Sequence, residues 1–156
     1  VLESIREYLQ ANEVRFREAH HEPTFTSEES ARARGEELRN GGKSLLLKVD
    51  DEFKLFVISA ALKLDSAKIR EHFGTRQTRF ATKEELLALT TLIPGCVPPF
   101  GHPILPFDLY LDSSIPKNER IAFNAGSLTD SIIISVHDYL RIAKPKECFL
   151  FADTNV

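Results

Sequence analysis

The chemistry this sequence offers begins with Lys43, which follows a Gly41-Gly42 pair and leads directly into three leucines. A lysine leaving a glycine turn at the mouth of an apolar strand either snorkels to solvent or holds its ammonium in a pocket. Two further stretches carry polar or bare-backbone groups. Residues 94–101 read Pro-Gly-Cys-Val-Pro-Pro-Phe-Gly, and residues 124–127 read Asn-Ala-Gly-Ser. Three prolines and two glycines in eight residues exclude a helix interior or a central strand. The apolar residues between them predict a loop pressed against a core, suited to the wall of a small-molecule pocket or to a plain connector. A cation and oriented backbone groups bind and polarise a carbonyl or a phosphate without a covalent nucleophile.

The signatures of other chemistries are missing from the sequence. There is no G-x-S-x-G elbow, Walker loop, Rossmann glycine fingerprint or H-E-x-x-H. His20 and His21 are adjacent, and neighbours on a strand point to opposite faces, so the pair is not expected to share a metal. Cys96 and Cys148 form no CxxC or zinc spacing, which predicts a reduced, cytoplasmic protein. Cys96 reads as a small buried hydrophobe. No cofactor is expected.

The chain has 156 residues, enough for one domain spanning 1–156 with a sizeable core. Eleven phenylalanines argue against disorder, and no apolar run approaches the eighteen residues of a membrane span. A net charge of −3 excludes a generally basic nucleic-acid binder. A local patch survives that exclusion: between Lys63 and Lys83 stand Lys63, Lys68, Arg70, Arg76, Arg79 and Lys83 against only Asp65 and Glu71. It reads equally as a phosphate-contacting surface or a solvated face.

The elements that must position these groups follow from periodicity and punctuation. Leu2, Ile5, Tyr8 and Leu9 recur at helical spacing, and Val14 and Phe16 alternate as a short strand. Thr26 with Glu29 predicts a capping box, opening a helix through about Arg34 that Gly35 closes. Residues 43–49 and 53–58 read as a hairpin at the centre of a sheet, turned by residues 50–52. A helix over 66–73 ends at Gly74, and a brief strand falls at Phe80-Ala81. Thr82 with Glu85 opens a further helix with Leu86, Leu87 and Leu89 on its core face. Strands are expected at 109–111, 120–123, 131–135 and 148–150, and a helix at 137–142. Strands and helices mix without a strict βαβ repeat, so the expected class is α/β (α+β) with a mixed central sheet flanked by helices.

Three motifs in order give a resemblance: residues 42–47 (Gly-Lys-Ser-Leu-Leu-Leu), residues 94–101 and residues 124–127. With His21-Glu22-Pro23-Thr24-Phe25-Thr26-Ser27-Glu28-Glu29 before them, they resemble the YbaK/prolyl-tRNA-synthetase-associated editing domain family over about residues 20 to 150. The resemblance implies a trans-editing deacylase that hydrolyses the ester between a wrong, small amino acid and tRNA, often tRNA for proline. Its implied partners are the aminoacylated acceptor end of tRNA and a prolyl-tRNA synthetase. It implies Lys43 as the main functional side chain. The substrate-binding positions it implies are Thr26 and Ser44, then Pro94, Gly95, Cys96, Val97 and Gly101, then Asn124, Ala125, Gly126 and Ser127. Lys63, Lys68, Arg76 and Arg79 are the expected tRNA contacts. Relatives often carry glycine where this chain has Thr91, a departure that bears on the loop's geometry and on substrate preference. A non-catalytic tRNA-acceptor or synthetase-binding module, and a hydrolase of another small ester, stand as alternatives.

Overall fold

The computed structural model describes residues 1–154. Two sheets face one another across an apolar core. The first helix, α1 (Leu2–Ala11), buries Ile5 and Leu9 in it. Val14 is buried too, through a turn in which its amide donates to the Leu9 carbonyl at 2.9 Å. The strand expected at Val14 and Phe16 therefore begins later, as β1 (Arg17–His20). The alternation of Val14 and Phe16 records burial against the core, Val14 more deeply than Phe16, with neither residue in a strand.

A helix, α2 (Ser27–Arg34), follows β1 and ends where Gly35 adopts φ +69°. Thr26 Oγ1 accepts the Glu29 amide, but Glu29 returns only to the Thr26 hydroxyl at 3.4 Å, so half of the expected capping box forms. The hairpin is as expected, with β2 (Gly42–Val49) antiparallel to β3 (Glu52–Ser59) and Val49 opposite Glu52. Its turn is therefore the two residues Asp50 and Asp51. Next come α3 (Ser66–Phe73), β4 (Thr78–Phe80) and α4 (Lys83–Thr90). The capping box of Thr82 and Glu85 is complete, and Arg79 grips the Glu85 carboxylate with both terminal nitrogens at 2.7 and 2.9 Å. Of the three leucines expected inward on α4, only Leu86 is buried; Leu87 and Leu89 are exposed. Leu86 shares its buried stripe with Thr90, four residues on, and the side chains between them swing outward.

The remaining elements are β5 (Leu109–Asp112), β6 (Arg120–Asn124), β7 (Asp130–Ser135), α5 (Val136–Ala143) and β8 (Glu147–Phe149). The larger sheet has the order β4-β2-β3-β5-β8 and is mixed, since β3–β5 and β5–β8 are parallel. The smaller one, β1-β7-β6, is antiparallel. A parallel bridge between Gly41 and Ala122 joins them. The fold is thus α/β with a mixed sheet, as expected, and a second sheet is added. The two sheets enclose one core with α1 and α5; the outer face of the larger sheet packs Phe56, Tyr110 and Phe151 with Ile69 of α3.

After α4 the chain turns at Thr91, whose φ is +63°. The left-handed conformation is costly for a β-branched residue and free for glycine. The helix end keeps the geometry a glycine would give it, at a cost in strain. Thr91→Gly is expected to stabilise the fold by about 1 kcal/mol. Thermal denaturation reads the change, and an unchanged or lower Tm would contradict it.

Candidate functional site

Helix α2, the open end of β2 and the loop after α4 enclose a cleft of about 680 Å³. Its existence depends on how short β4 is. That strand pairs with β2 only at Leu47, Lys48 and Val49, so the edge of β2 from Gly42 to Leu45 has no strand beside it. Gly42, Lys43, Ser44 and Leu45 all border the cleft. Ladder alternation fixes the backbone there. Val49 and Glu52 close the two-residue turn as a hydrogen-bonded pair, and the alternation makes Lys43 and Ile58, six residues further along, another such pair. Ser44 therefore directs its N–H and C=O away from β3, toward the open edge.

Lys43 is half-buried and its Nζ donates to the Leu62 carbonyl at 2.8 Å. Burial lowers its pKa below the ordinary lysine range, and the nearby Lys63 cation lowers it further. Thr26, Ser44, Pro94, Gly95, Val97 and Asn124 meet Lys43 around the same cleft. Gly95 adopts φ +91°, which explains a glycine there by backbone conformation. A side chain added to it would make an ordinary 3.4 Å contact with Leu128 Cδ2. Asn124 Nδ2 donates to the Gly95 carbonyl at 2.8 Å and fastens the loop to β6.

The other expected positions lie elsewhere. Ala125 is fully buried in the core. Gly101 is a packing glycine, since a Cβ on it would stand 2.3 Å from the Phe107 carbonyl oxygen. Cys96 is buried, and burial pushes its thiol pKa up, away from the nucleophilic thiolate. Cys96, Gly126 and Ser127 border a smaller neighbouring cavity of about 500 Å³. Ser127 is occupied in the turn before β7, donating to Asp130 at 2.7 Å. His20 and His21 part as expected, His20 to Asp130 and His21 to Ser131.

The four expected tRNA contacts divide. Arg79 is neutralised by Glu85, and Lys68 Nζ holds the Ala152 carbonyl at 2.7 Å. Lys63 and Arg76 are exposed, with no carboxylate in ion-pair range among the described residues. Lys83, on the cleft's rim, is a third such cation.

The residue that sequence reasoning missed is Arg34. It borders the cleft and is only 6% exposed. Its Nη2 donates to Asn124 Oδ1 at 3.0 Å, and no carboxylate pairs with it among the described residues. Glu36 lies close enough to act through space, but its oxygens are taken by Arg17, Arg120 and Asn40. Burial brings the Arg34 pKa down to about 10, so the group stays cationic at neutral pH. Three buried side-chain atoms among the described residues lack a hydrogen-bond partner: Arg34 Nε, Ser44 Oγ and Thr78 Oγ1. Two of these belong to the cleft. Such atoms are costly to leave unpaired, and these two sit behind the cleft's wall rather than on its surface.

The cleft thus joins the cations Lys43 and Arg34, with Lys83 on its rim, to an open strand edge and a glycine loop, with no activated nucleophile. Such a set can bind and polarise a carbonyl without a covalent intermediate. The chain belongs to the aminoacyl-tRNA editing domain family, whose model matches residues 21–142. It is 34% identical over 137 residues to the multifunctional Ser/Thr-tRNA deacylase ProXp-y of Escherichia coli (strain K12), covering 84% of this chain and 81% of that protein. Over 100 residues it is 33% identical to the proline–tRNA ligase of Shouchella clausii (strain KSM-K16), covering 64% of this chain and 17% of the ligase. A crystal structure reported as a candidate trans-editing enzyme for prolyl tRNA synthetase superposes with a TM-score of 0.81 at 25% identity, over 96% of each chain. Among the described residues no helix is long and apolar enough to cross a membrane.

Proposed function

We propose that this protein is an aminoacyl-tRNA deacylase that hydrolyses the ester of a tRNA charged with a small, wrong amino acid. The observation that carries the reading is the cleft itself, where Lys43, the Ser44 edge amide, Asn124 and the Gly95 loop converge without a nucleophile. An aminoacyl ester is activated enough that orienting a water and stabilising the developing oxyanion supplies the catalysis. Lys43 brings a partly desolvated cation, whose attraction for developing negative charge is stronger than in water. Ser44 brings a backbone donor at the open edge. A neighbouring ribose hydroxyl of the substrate serves as proton acceptor, and Glu84, the carboxylate on the cleft's border, is exposed at its rim.

Arg34 and Ser44, both on the border of the cleft, favour an aminoacyl side chain that carries an oxygen. The E. coli relative named for Ser/Thr-tRNA supports the same preference. The relatives among proline–tRNA ligases support tRNA for proline as the carrier and a prolyl-tRNA synthetase as a partner, and with them a cytoplasmic setting. Deacylation assays on tRNAs charged with serine, threonine, alanine and proline test the reading. Turnover of none of them would refute it.

The tRNA body is expected to rest on Lys63 and Arg76. Reversing both (Lys63→Glu, Arg76→Glu) should weaken tRNA binding and reduce the slope of log affinity against log salt by about two phosphate contacts' worth. The same reversal at Arg79 should instead loosen the start of α4, because it breaks the Glu85 pair. An unchanged slope in the double variant would remove this surface.

A further inference from the structure

We infer that Phe25, with Ile93 and Leu87 beside it, is the platform on which the terminal adenine of the charged tRNA stacks, an inference that rests on the deacylase reading. Most large apolar side chains of this protein are buried, and seven among the described residues are exposed. Three of the seven stand on the rim of the larger cleft: Phe25 at 76% exposure, Leu87 at 53% and Ile93 at 50%. They come from three separate segments, the turn before α2, the helix α4 and the loop after it. Phe80, Leu89 and Leu150, which are also exposed, border neither cavity.

Phe25 is held outward by a fixed backbone. Thr24 on one side is buried, its hydroxyl 2.7 Å from that of Ser30 and its amide on the Leu128 carbonyl. Thr26 on the other side caps α2. The ring between these anchors cannot turn into the core without undoing them.

The substrate's covalent structure says what meets that ring. The acyl carbon in the cleft is bonded to a ribose oxygen of the terminal nucleotide, so the ribose sits at the mouth and its base lies one sugar's width away. Phe25, Ile93 and Leu128 border both the cleft and the smaller cavity beside it, so the ridge they form lies where a group tethered to the cleft's occupant must rest. An adenine offers a flat π face and asks for a flat apolar one, which Phe25 supplies without any charged contact.

Seryl esters of adenosine and of methyl riboside, which has no base, test the platform. The wild-type protein should hydrolyse the adenosine ester about tenfold more efficiently, as loss of one base–aromatic stack implies. Phe25→Ala should bring that ratio close to one, by slowing the adenosine ester more than the riboside, and Phe25→Tyr should keep it. A wild-type ratio near one, or an equal loss on both esters in Phe25→Ala, overturns the inference; an equal loss is what a role in folding or in docking a protein partner would give. Adenosine 5′-monophosphate titrated by NMR gives a readout independent of turnover. Binding that depends on Phe25 without hydrolysis of either ester keeps the platform and removes the deacylase reading. Absence of both removes the two together.

Discussion

Lys43→Ala is expected to lower kcat/KM for deacylation at least tenfold, equivalent to about 1.4 kcal/mol of transition-state stabilisation, while the fold stands. The structure explains why the two effects separate. The Lys43 amine makes one hydrogen bond, to the Leu62 carbonyl, and the strand around it is held by its pairing with β3 rather than by that bond. Lys43→Arg should rescue only in part, since a planar fork replaces a compact charge. The pH profile carries the sign of the lowered pKa. The native lysine gives up its proton below the ordinary lysine range, so activity that needs the cation falls on an alkaline limb beginning earlier than an exposed lysine would give. In Lys43→Arg that limb should move to higher pH. The same shift makes the folded protein gain stability as pH rises through the lowered value toward the unfolded one, a gain Lys43→Ala should lose. A correctly folded Lys43→Ala protein that cleared mischarged tRNA at the wild-type rate would remove the residue from catalysis.

Arg34→Met should have an effect of similar size but of a different kind. A hydrogen bond to a charged group contributes roughly 1.5–3 kcal/mol, so hydrolysis of a seryl ester should fall by about tenfold or more. Hydrolysis of an alanyl ester should change little, because a methyl group gains nothing from the guanidinium. The preference between the two is therefore the quantity to measure. Stability should hold or rise, since replacing a buried, uncompensated cation with an apolar side chain of similar length removes a desolvation cost. A variant whose seryl and alanyl rates fall together would show that Arg34 only braces Asn124 and the loop.

The contrast between these two residues measures how much of the site was legible in the sequence. Lys43 stood out because a charge beside two glycines and three leucines breaks a local pattern. The loop stood out by its prolines, and its burial at Cys96, Val97 and Phe100 followed from its apolar residues. Arg34 sits in Ser-Glu-Glu-Ser-Ala-Arg-Ala-Arg, which reads as a solvated helix. Its burial depends on α2 lying against β6, a contact 90 residues away in sequence. A faint signal was present: Ser30, Ala31 and Arg34 fall on one stripe, and two small residues at that spacing mark a close-packed face. The same distance in sequence hid the second sheet, because the pairing of β1 with β7 joins residues more than a hundred positions apart. Ala125 and Gly101 belong by sequence to motifs that border the cleft, yet both are buried away from it. Alternate residues of a strand end or a tight loop face opposite ways, so a motif that borders a cleft sends part of itself into the core.

The central claim is that the cleft hydrolyses an aminoacyl ester rather than merely holding an acceptor end. Single-turnover deacylation of seryl-tRNA(Pro), with prolyl-tRNA(Pro) alongside, tests it most directly. The seryl ester should be cleared well above its spontaneous rate and the prolyl ester spared. Tight binding of both tRNAs with the seryl ester decaying at its spontaneous rate would contradict it.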